Sequence, residues 1–466
     1  MAVSLEKEIS YSINFSQDLL YEILNSYIVH NFKLHQTYCD FVDDNNVRTR
    51  LDECGELVSQ TKLLQTLHKF VYVHGDLLVP MVNRVSTEND VDAKPTLRLK
   101  KIIKCKVYKS DQCPQIEVKF EHIYFNKNLS DTFDSLMASK QIALLNLLHG
   151  KNENVTKQSH LGSDEILANI RVEYEYKDTI PDCKVLHKLA NIVASMDAVA
   201  TPCNIKPLLP YTTLQNNIIY RKFVDEKLLY GLDNSSAAHL NVHKWALKLD
   251  GIRGKGMFIK DTFIVFMDDM QMFSAKINSP FNKYNCVIAV QCELIENKFL
   301  YITDILHVFK YTYNNRTQYE CSLEGYDVTP DDAIKVLSHL NSFVDPISFM
   351  PLYDDNVYDS YQFNNMEIKF QKFFEPPLHV SGYTTLATDG FVVLDNNMQY
   401  VKYKYIKTIE IEYKKNKFYT LTGPLTDCEV NVSKGVKLID GQIYEAIFAD
   451  NNLTIIKCRK DRLIPN

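Results

Sequence analysis

Glycine and proline are scarce in this chain of 466 residues, at 14 and 15. That excludes collagen-like architecture and long flexible low-complexity segments. Tryptophan occurs once, as Trp245. Of the eleven cysteines none is spaced as CxxC, which argues against a zinc ribbon and a redox dithiol. No apolar run is long enough to cross a membrane, so no membrane partner is expected. The start, MAVSLEKEIS, lacks the apolar region of a secretory signal. With the scattered cysteines, this sets the expectation of a reducing compartment inside the cell. There is no basic excess either. Lys and Arg number 52 against 58 Asp and Glu, for a net charge of -6 and a pI of about 6.1. Any contact with nucleic acid must therefore be local.

What is present is an ordinary globular composition, 45% hydrophobic and 24% charged, in a chain long enough for more than one domain. Several stretches alternate with the period of a strand. In LEKEISYSIN, Glu6 and Glu8 share one face. In IEVKFEHI, Glu117, Lys119 and Glu121 share one face and Val118 and Phe120 the other. In RVEYEY, Glu173 and Glu175 fall together. Basic pairs alternate too, Arg48 with Arg50 and Lys104 with Lys106. A sheet with one wet side accounts for any one pair. If the charged faces turn inward, they line a polar barrel. Clustered carboxylates then need a cation, and hard oxygen donors suit Mg2+ or Mn2+. Arginines and lysines there would hold phosphate oxygens. Helical spacing predicts helices over 130–148 and 184–199, and the proline-rich 200–212 reads as a domain connection.

The densest chemistry lies at Lys248-Leu249-Asp250-Gly251-Ile252-Arg253, after a short strand carrying Trp245. A lysine beside a glycine turn, with Arg253 and Lys255 near enough to weaken its hold on a proton, is a candidate nucleophile toward a nucleotide phosphate. A chance KxDGxR is expected in fewer than about one such chain in a hundred. Downstream, Glu293 sits in the strand VIAVQCELI, Asp304 in YITDIL, Asp389 in TDGFVV, and Lys402 and Lys404 in YVKYK. Arg459, Asp461 and Arg462 close the chain in RKDR. DDAIKVLSHLNSFV reads as an amphipathic surface helix, and the segment 405–457 as a small all-β module.

These motifs carry two resemblances. The ExE strands are similar to those of the triphosphate-tunnel metalloenzymes. By that likeness Glu6, Glu8, Glu173 and Glu175 hold the metal. Arg48, Arg50, Lys104, Lys106, Glu117, Lys119 and Glu121 then belong to the phosphate-binding lumen. The second half resembles the covalent nucleotidyltransferases, a group of mRNA guanylyltransferases and polynucleotide ligases. There Lys248 takes the nucleotide, with Asp250 and Arg253 in the same motif, and Glu293 meets the ribose. Gln291-Cys292 stands where the family has an acidic residue and glycine. Tyr301 is a candidate ring for the base. Asp389 lies near the metal and nucleophile, Lys402 and Lys404 reach the α-phosphate, and Arg459, Asp461 and Arg462 act from a lid on the leaving pyrophosphate. Over its full length, including EKEISYSINFSQDLLY, KWALKLDG and DRLIPN, the chain resembles the late expression factor capping subunits of baculoviral RNA polymerases.

The expected fold is therefore α+β: an N-terminal tunnel-type antiparallel barrel over 1–200, a linker over 201–225, a nucleotidyltransferase domain over 226–404 and an OB-fold lid over 405–466. The expected function is mRNA capping in two steps, γ-phosphate removal from RNA and GMP transfer from GTP through Lys248. A divalent metal, GTP, the RNA 5′ end and other polymerase subunits are the implied cofactor, substrates and partners, and the host nucleus the implied location. An ATP-dependent RNA ligase and a non-catalytic RNA-binding subunit are the alternatives.

Overall fold

The computed structural model describes residues 3–13, 15, 17–92, 99–125, 166–200, 215–229, 240–259, 262–276, 281, 286–313, 321–341, 350–351, 366–380, 384–460 and 462–465. The expected helix 130–148, most of the 200–212 connection and Asp461 lie outside these. The chain divides into two compact units. The first is Met1–Pro210 with Phe281–Cys286 and Val308–Asp327; the second is Tyr211–Pro280 with Val287–His307 and Val328–Asn466.

The first unit is a closed barrel of eight strands: β1 (Val3–Ile13), β2 (Lys33–Asp43), β3 (Val47–Asp52), β4 (Leu57–His74), β5 (Leu77–Asp90), β6 (Leu99–Ser110), β7 (Cys113–Phe125) and β8 (Ile166–Glu175). Their order around the barrel is β1-β5-β4-β3-β2-β6-β7-β8. All eight pairings are antiparallel. Closure leaves no sheet edge and gives every strand an inside and an outside. The apolar side of β7 and β8 carries Ile116, Val118, Phe120, Ile170 and Val172, all buried. The helices Gln17–Ile23 and Cys183–Ala200 pack against these strands. The longer helix contributes Val185, Leu186, Leu189, Ala190, Val193 and Met196. Each large apolar side chain so covered stabilises the fold by about 1.5–3 kcal/mol. This hydrophobic core sits outside the barrel wall, which frees the inside for charge. The helix expected over 184–199 is thus present and is the clamp on the wall.

Strand β15 (Phe299–Tyr313) is longer than any short-motif reading suggests. Its distal part and β16 (Cys321–Asp327) group with the first unit, although the sequence reading assigns them to the transferase domain. The reason is physical: Lys310 is buried, donates to the Ser12 carbonyl and lies 4.2 Å from the Tyr11 ring.

The second unit has three sheets. One runs β10-β19-β20-β9, from β9 (Phe223–Leu228), β10 (Lys244–Leu249), β19 (Thr388–Leu394) and β20 (Tyr400–Lys404). Its core is Trp245, Leu378, Phe391, Val393, Val401 and Tyr403. Another contains β11 (Ile252–Ile259), β12 (Thr262–Met267), β13 (Met272–Lys276), β14 (Cys286–Ile295), β15 and β17 (Met350–Pro351). In that sheet β18 (Glu367–Phe370) pairs parallel to β15. The third has six strands, β21 (Ile409–Lys414), β22 (Lys417–Thr420), β23 (Gly423–Pro424), β24 (Glu429–Val432), β25 (Gln442–Ala449) and β26 (Asn452–Cys458), around Ile411, Tyr444, Leu453 and Ile455. It is the small all-β module expected near the C-terminus. The surface helix expected after 331 runs Pro330–Leu340, capped by the Thr329 side chain accepting from the Asp332 N–H.

Candidate active sites in the two units

Register decides what faces the barrel lumen, because directly paired residues share a face. Glu8 pairs with Arg84 on one side and Glu175 on the other. Glu173 pairs with Glu117, Arg171 with Lys119, and Glu117 with Lys109. Glu121 pairs with Cys105, Cys105 with Tyr38, and Asp40 with Arg50. Arg48 pairs with Gln60 and Lys62 with Glu88, which returns to β5. One continuous inner face therefore collects Glu6, Glu8, Glu117, Lys119, Glu121, Glu173, Glu175, Arg48 and Arg50. All were singled out from the sequence.

Lys104 and Lys106, expected in the lumen, lie outside it. They pair with His122 and Phe120 on the opposite face and are exposed. The inward residues of β6 are Cys105, Val107 and Lys109. The alternation was real, but two lysines at spacing two do not say which side they take. The inner residues missed are Asp40, Lys62, Arg84, Glu88, Lys109 and Arg171. The run Arg84-Val85-Ser86-Thr87-Glu88 carried the same alternating signal. On β4 a register shift between Leu64 and Thr66 breaks it.

The lumen is laced with ion pairs. Lys119 lies 2.5 Å from Glu173 and 3.1 Å from Glu117. Arg171 meets Glu121 at 2.9 Å and Glu173 at 2.8 Å. Arg50 engages Asp40 through two nitrogens, at 2.8 and 2.9 Å, and covers the Tyr38 ring at 3.7 Å. Arg84 reaches Glu8 at 3.2 Å, and Lys62 bonds Glu6. Burial alone would raise the Glu173 carboxyl, but Arg171 and Lys119 hold it below its ordinary range. Glu175 goes the other way: burial raises it, and Glu6, Glu117 and Glu173 add to the rise against Lys119. Among the described residues no three acidic, histidine or cysteine groups stand close enough to hold a metal as placed. The donor chemistry of Glu6, Glu8, Glu173 and Glu175 nevertheless fits a hard divalent ion. They are four carboxylates on adjacent strands β1 and β8, with Glu8 facing Glu175 directly.

The second site is a cleft of about 580 Å³ in the second unit. Lys248 reaches it from the end of β10, where it pairs with Gly390, the residue after Asp389 on β19. The Lys248 Nζ lies 2.7 Å from both Asp389 carboxylate oxygens. Gly390, beside Asp389, lets β19 lie close against β20. Its φ is +145°, and a Cβ there would stand 1.8 Å from the Tyr403 carbonyl oxygen. Gly251 turns the chain after the lysine where a Cβ would meet the Leu294 carbonyl oxygen at 2.3 Å. Its N–H donates to Glu293 at 2.9 Å. Burial pushes the Glu293 carboxyl up to about 7, against the pull of that N–H, Lys248 and Arg253.

Lys402 and Lys404 line the cleft from β20, and Glu226 lies 3.6 Å from Lys404. Burial lowers the Lys402 ammonium, and Lys248 lowers it further. Lys255, by contrast, lies over the Tyr220 ring at 4.9 Å. Arg253 is tied at 2.8 Å to Asp268 and stacked on Tyr220 at 4.0 Å. Asp304 is buried under a two-point bond from Arg221, at 2.6 and 3.2 Å. Tyr301 is not among the lining residues. The rings that line the cleft are Phe223, Phe373 and Tyr400; of these only Tyr400, two residues before Lys402 on the same strand, carried a spacing signal.

Arg459 and Arg462 also line the cleft, from the C-terminal module. There they are held by that module's own acids. Arg459 lies 3.1 Å from Glu410 and 3.5 Å from Glu445, and Arg462 lies 3.1 Å from Glu410. Lys457, overlooked in the sequence, bonds both Asp250 oxygens at 2.6 and 2.9 Å.

Relatives extend over the same residues. The chain is 44% identical to a protein named mRNA capping enzyme LEF-4 from Autographa californica nuclear polyhedrosis virus, over 99% of this chain and 98% of that one. It is 38% identical to the mRNA capping enzyme LEF-4 of Orgyia pseudotsugata multicapsid polyhedrosis virus, over 100% and 98%. Among solved structures it is similar to the RNA triphosphatase Pct1 of S. pombe, at 11% identity and TM-score 0.25 over 42% of this chain and 84% of that chain. A Mimivirus capping enzyme triphosphatase matches at 10% identity and TM-score 0.24, over 41% and 89%. Superpositions that loose carry no weight, and the barrel rests on its own strand pairing. The profile of late expression factor 4 (LEF-4) matches residues 6–466, and with relatives this similar end to end the chain belongs to the LEF-4 family.

Proposed function

We propose that this chain is a bifunctional mRNA capping enzyme, with an RNA 5′-triphosphatase in the barrel and a guanylyltransferase in the second unit. The observation that carries the reading is the seating of Lys248 2.7 Å from the Asp389 carboxylate in a cleft that also holds Lys402, Lys404 and Glu293. Family membership supports the capping role.

In the second unit the Lys248 amine attacks the α-phosphorus of GTP. A P–N bond forms, the bond from the α-phosphorus to the bridging oxygen breaks, and pyrophosphate leaves. Asp389 is positioned to hold the proton that Lys248 gives up. Lys402 and Lys404 offset charge gathering on the α-phosphate. Arg459 and Arg462 serve the leaving pyrophosphate once Glu410 and Glu445 release them. In the second step an oxygen of the RNA 5′-diphosphate attacks the same phosphorus, the P–N bond breaks and Lys248 recovers its proton.

In the barrel, Arg48, Arg50, Lys62, Arg84, Lys119 and Arg171 are the groups for a triphosphate. Glu6, Glu8, Glu173 and Glu175 would hold the divalent ion. That ion, when bound, would draw charge from the γ-phosphoryl group. The polymerase partners and the host nucleus belong to the same proposal and rest on family likeness.

The test is incubation of the purified chain with GTP or ATP labelled at the α-phosphate, with Mg2+ or Mn2+. Label from GTP retained on the denatured protein is expected. Label from ATP alone would make the chain a ligase-type enzyme, and no label from either would leave a binding subunit.

A further inference from the structure

The face that carries the nucleotide cleft continues beyond its lining. Strands β15 and β18 run parallel, with Phe299 opposite Glu367 and Tyr301 opposite Lys369. Leu300, Ile302, Ile368 and Phe370 are buried on one face. Alternation puts Phe299, Tyr301 and Thr303 on the other, together with Glu367 and Lys369. Thr303 and, just past β18, Gln371 line the cleft. Going outward along that face, the next side chains are two aromatic rings. Lysines crowd them: Lys369 lies 4.0 Å from the Phe299 ring centre and 6.0 Å from that of Tyr301, and the exposed Lys298 lies 4.9 Å from Phe299.

Rings and cations spaced along a strand suit single-stranded nucleic acid. Bases stack on the rings whatever their sequence, and ammonium groups take the phosphates. We propose that Phe299, Tyr301, Lys369 and Lys298 form the track of the acceptor RNA behind its 5′ end. Nucleotides following the diphosphate stack on the two rings as the ammonium groups that lie over the rings swing out onto the backbone phosphates. The track rests on the reading of this unit as the transferase that delivers GMP to RNA. Glu367 belongs to the same strip and holds Lys369 at 3.4 Å. An RNA phosphate must displace it, so Glu367 weakens the track and its removal strengthens it.

The experiment uses the full chain carrying GMP on Lys248, chased with a 5′-diphosphate dinucleotide or with a 5′-diphosphate RNA of about ten nucleotides, the reach of a single-strand site. The wild type is expected to show a lower KM for the longer RNA. The Phe299→Ala/Tyr301→Ala double variant and Lys369→Ala are expected to raise that KM about tenfold. Neither should change the dinucleotide KM or the rate of GMP loading. Glu367→Gln is expected to lower the KM of the longer RNA, a gain that a folding defect does not give. Equal KM values for the two RNAs in the wild type, or an unchanged KM in these variants, would overturn the track. If the wild type loads no GMP, the transferase reading fails by itself. Binding of a 5′-hydroxyl RNA of the same length then judges the track, and equal Kd values for wild type and variants overturn it.

Discussion

The smallest unit that matters is the pair of Lys248 and Asp389. A lysine amine is a nucleophile only without its extra proton, and the carboxylate 2.7 Å away is the nearest group to share that proton. Lys248→Ala should abolish retention of labelled GMP. Asp389→Asn should slow loading by about 10²–10⁴-fold, the usual span for proton transfer, as measured in single-turnover reactions. Glu293 gives a pH signature. Its carboxyl stands near 7 in the folded protein against 4.5 for an ordinary glutamate. Between those values the folded state keeps a proton that the unfolded chain has released. Folding stability therefore falls as pH rises through this window, and the loss is complete above about 7. If Glu293 accepts hydrogen bonds from the ribose, GTP binding should tighten as pH rises through about 7. Titration of Glu293→Gln should lack that limb. At Gly390 any side chain collides with backbone, so Gly390→Ala should cost about 3 kcal/mol or more and show as a lower Tm or loss of soluble protein.

At the scale of elements, strand parity does most of the explaining. Alternation identified Glu6, Glu8, Glu117, Lys119, Glu121, Glu173 and Glu175 as face-sharing sets, and closure turned all of those faces inward. Parity alone could not orient Lys104 and Lys106, because which side is inward is set by the neighbouring strand. Arg84 and Glu88 were legible in the same way and Lys62 was not, since the register shift on β4 erases its pattern. The cleft was legible where a motif demands a residue, as at Lys248, Glu293, Asp389, Lys402 and Lys404. It was illegible where packing alone chooses the residue, as at Phe223 and Phe373, or where a partner far along the chain does, as at Lys457. Among the barrel carboxylates, Glu6→Ala or Glu175→Ala should cut metal-dependent phosphate release by about 10²–10³-fold while leaving GMP loading intact. Loss of both activities would point to misfolding or a shared site. In the C-terminal module, Glu410 is the common anchor of Arg459 and Arg462. Glu410→Ala should destabilise that module by about 1–3 kcal/mol, readable as faster proteolysis within 405–466.

For the whole molecule, the proposed function gives the two units complementary chemistries: a lumen that would strip a phosphate from an RNA end and a cleft that would load the nucleotide to be joined there. Neither depends on a fold-wide positive charge, consistent with a net charge of -6. The central claim is the covalent nucleotide on Lys248. Its most direct test is mass spectrometry of peptides from the full chain after incubation with GTP and a divalent metal. One GMP mass addition is expected, on the peptide containing Lys248, released when pyrophosphate is added back. A GMP-bearing peptide elsewhere, or an AMP adduct formed in preference to GMP, would contradict it.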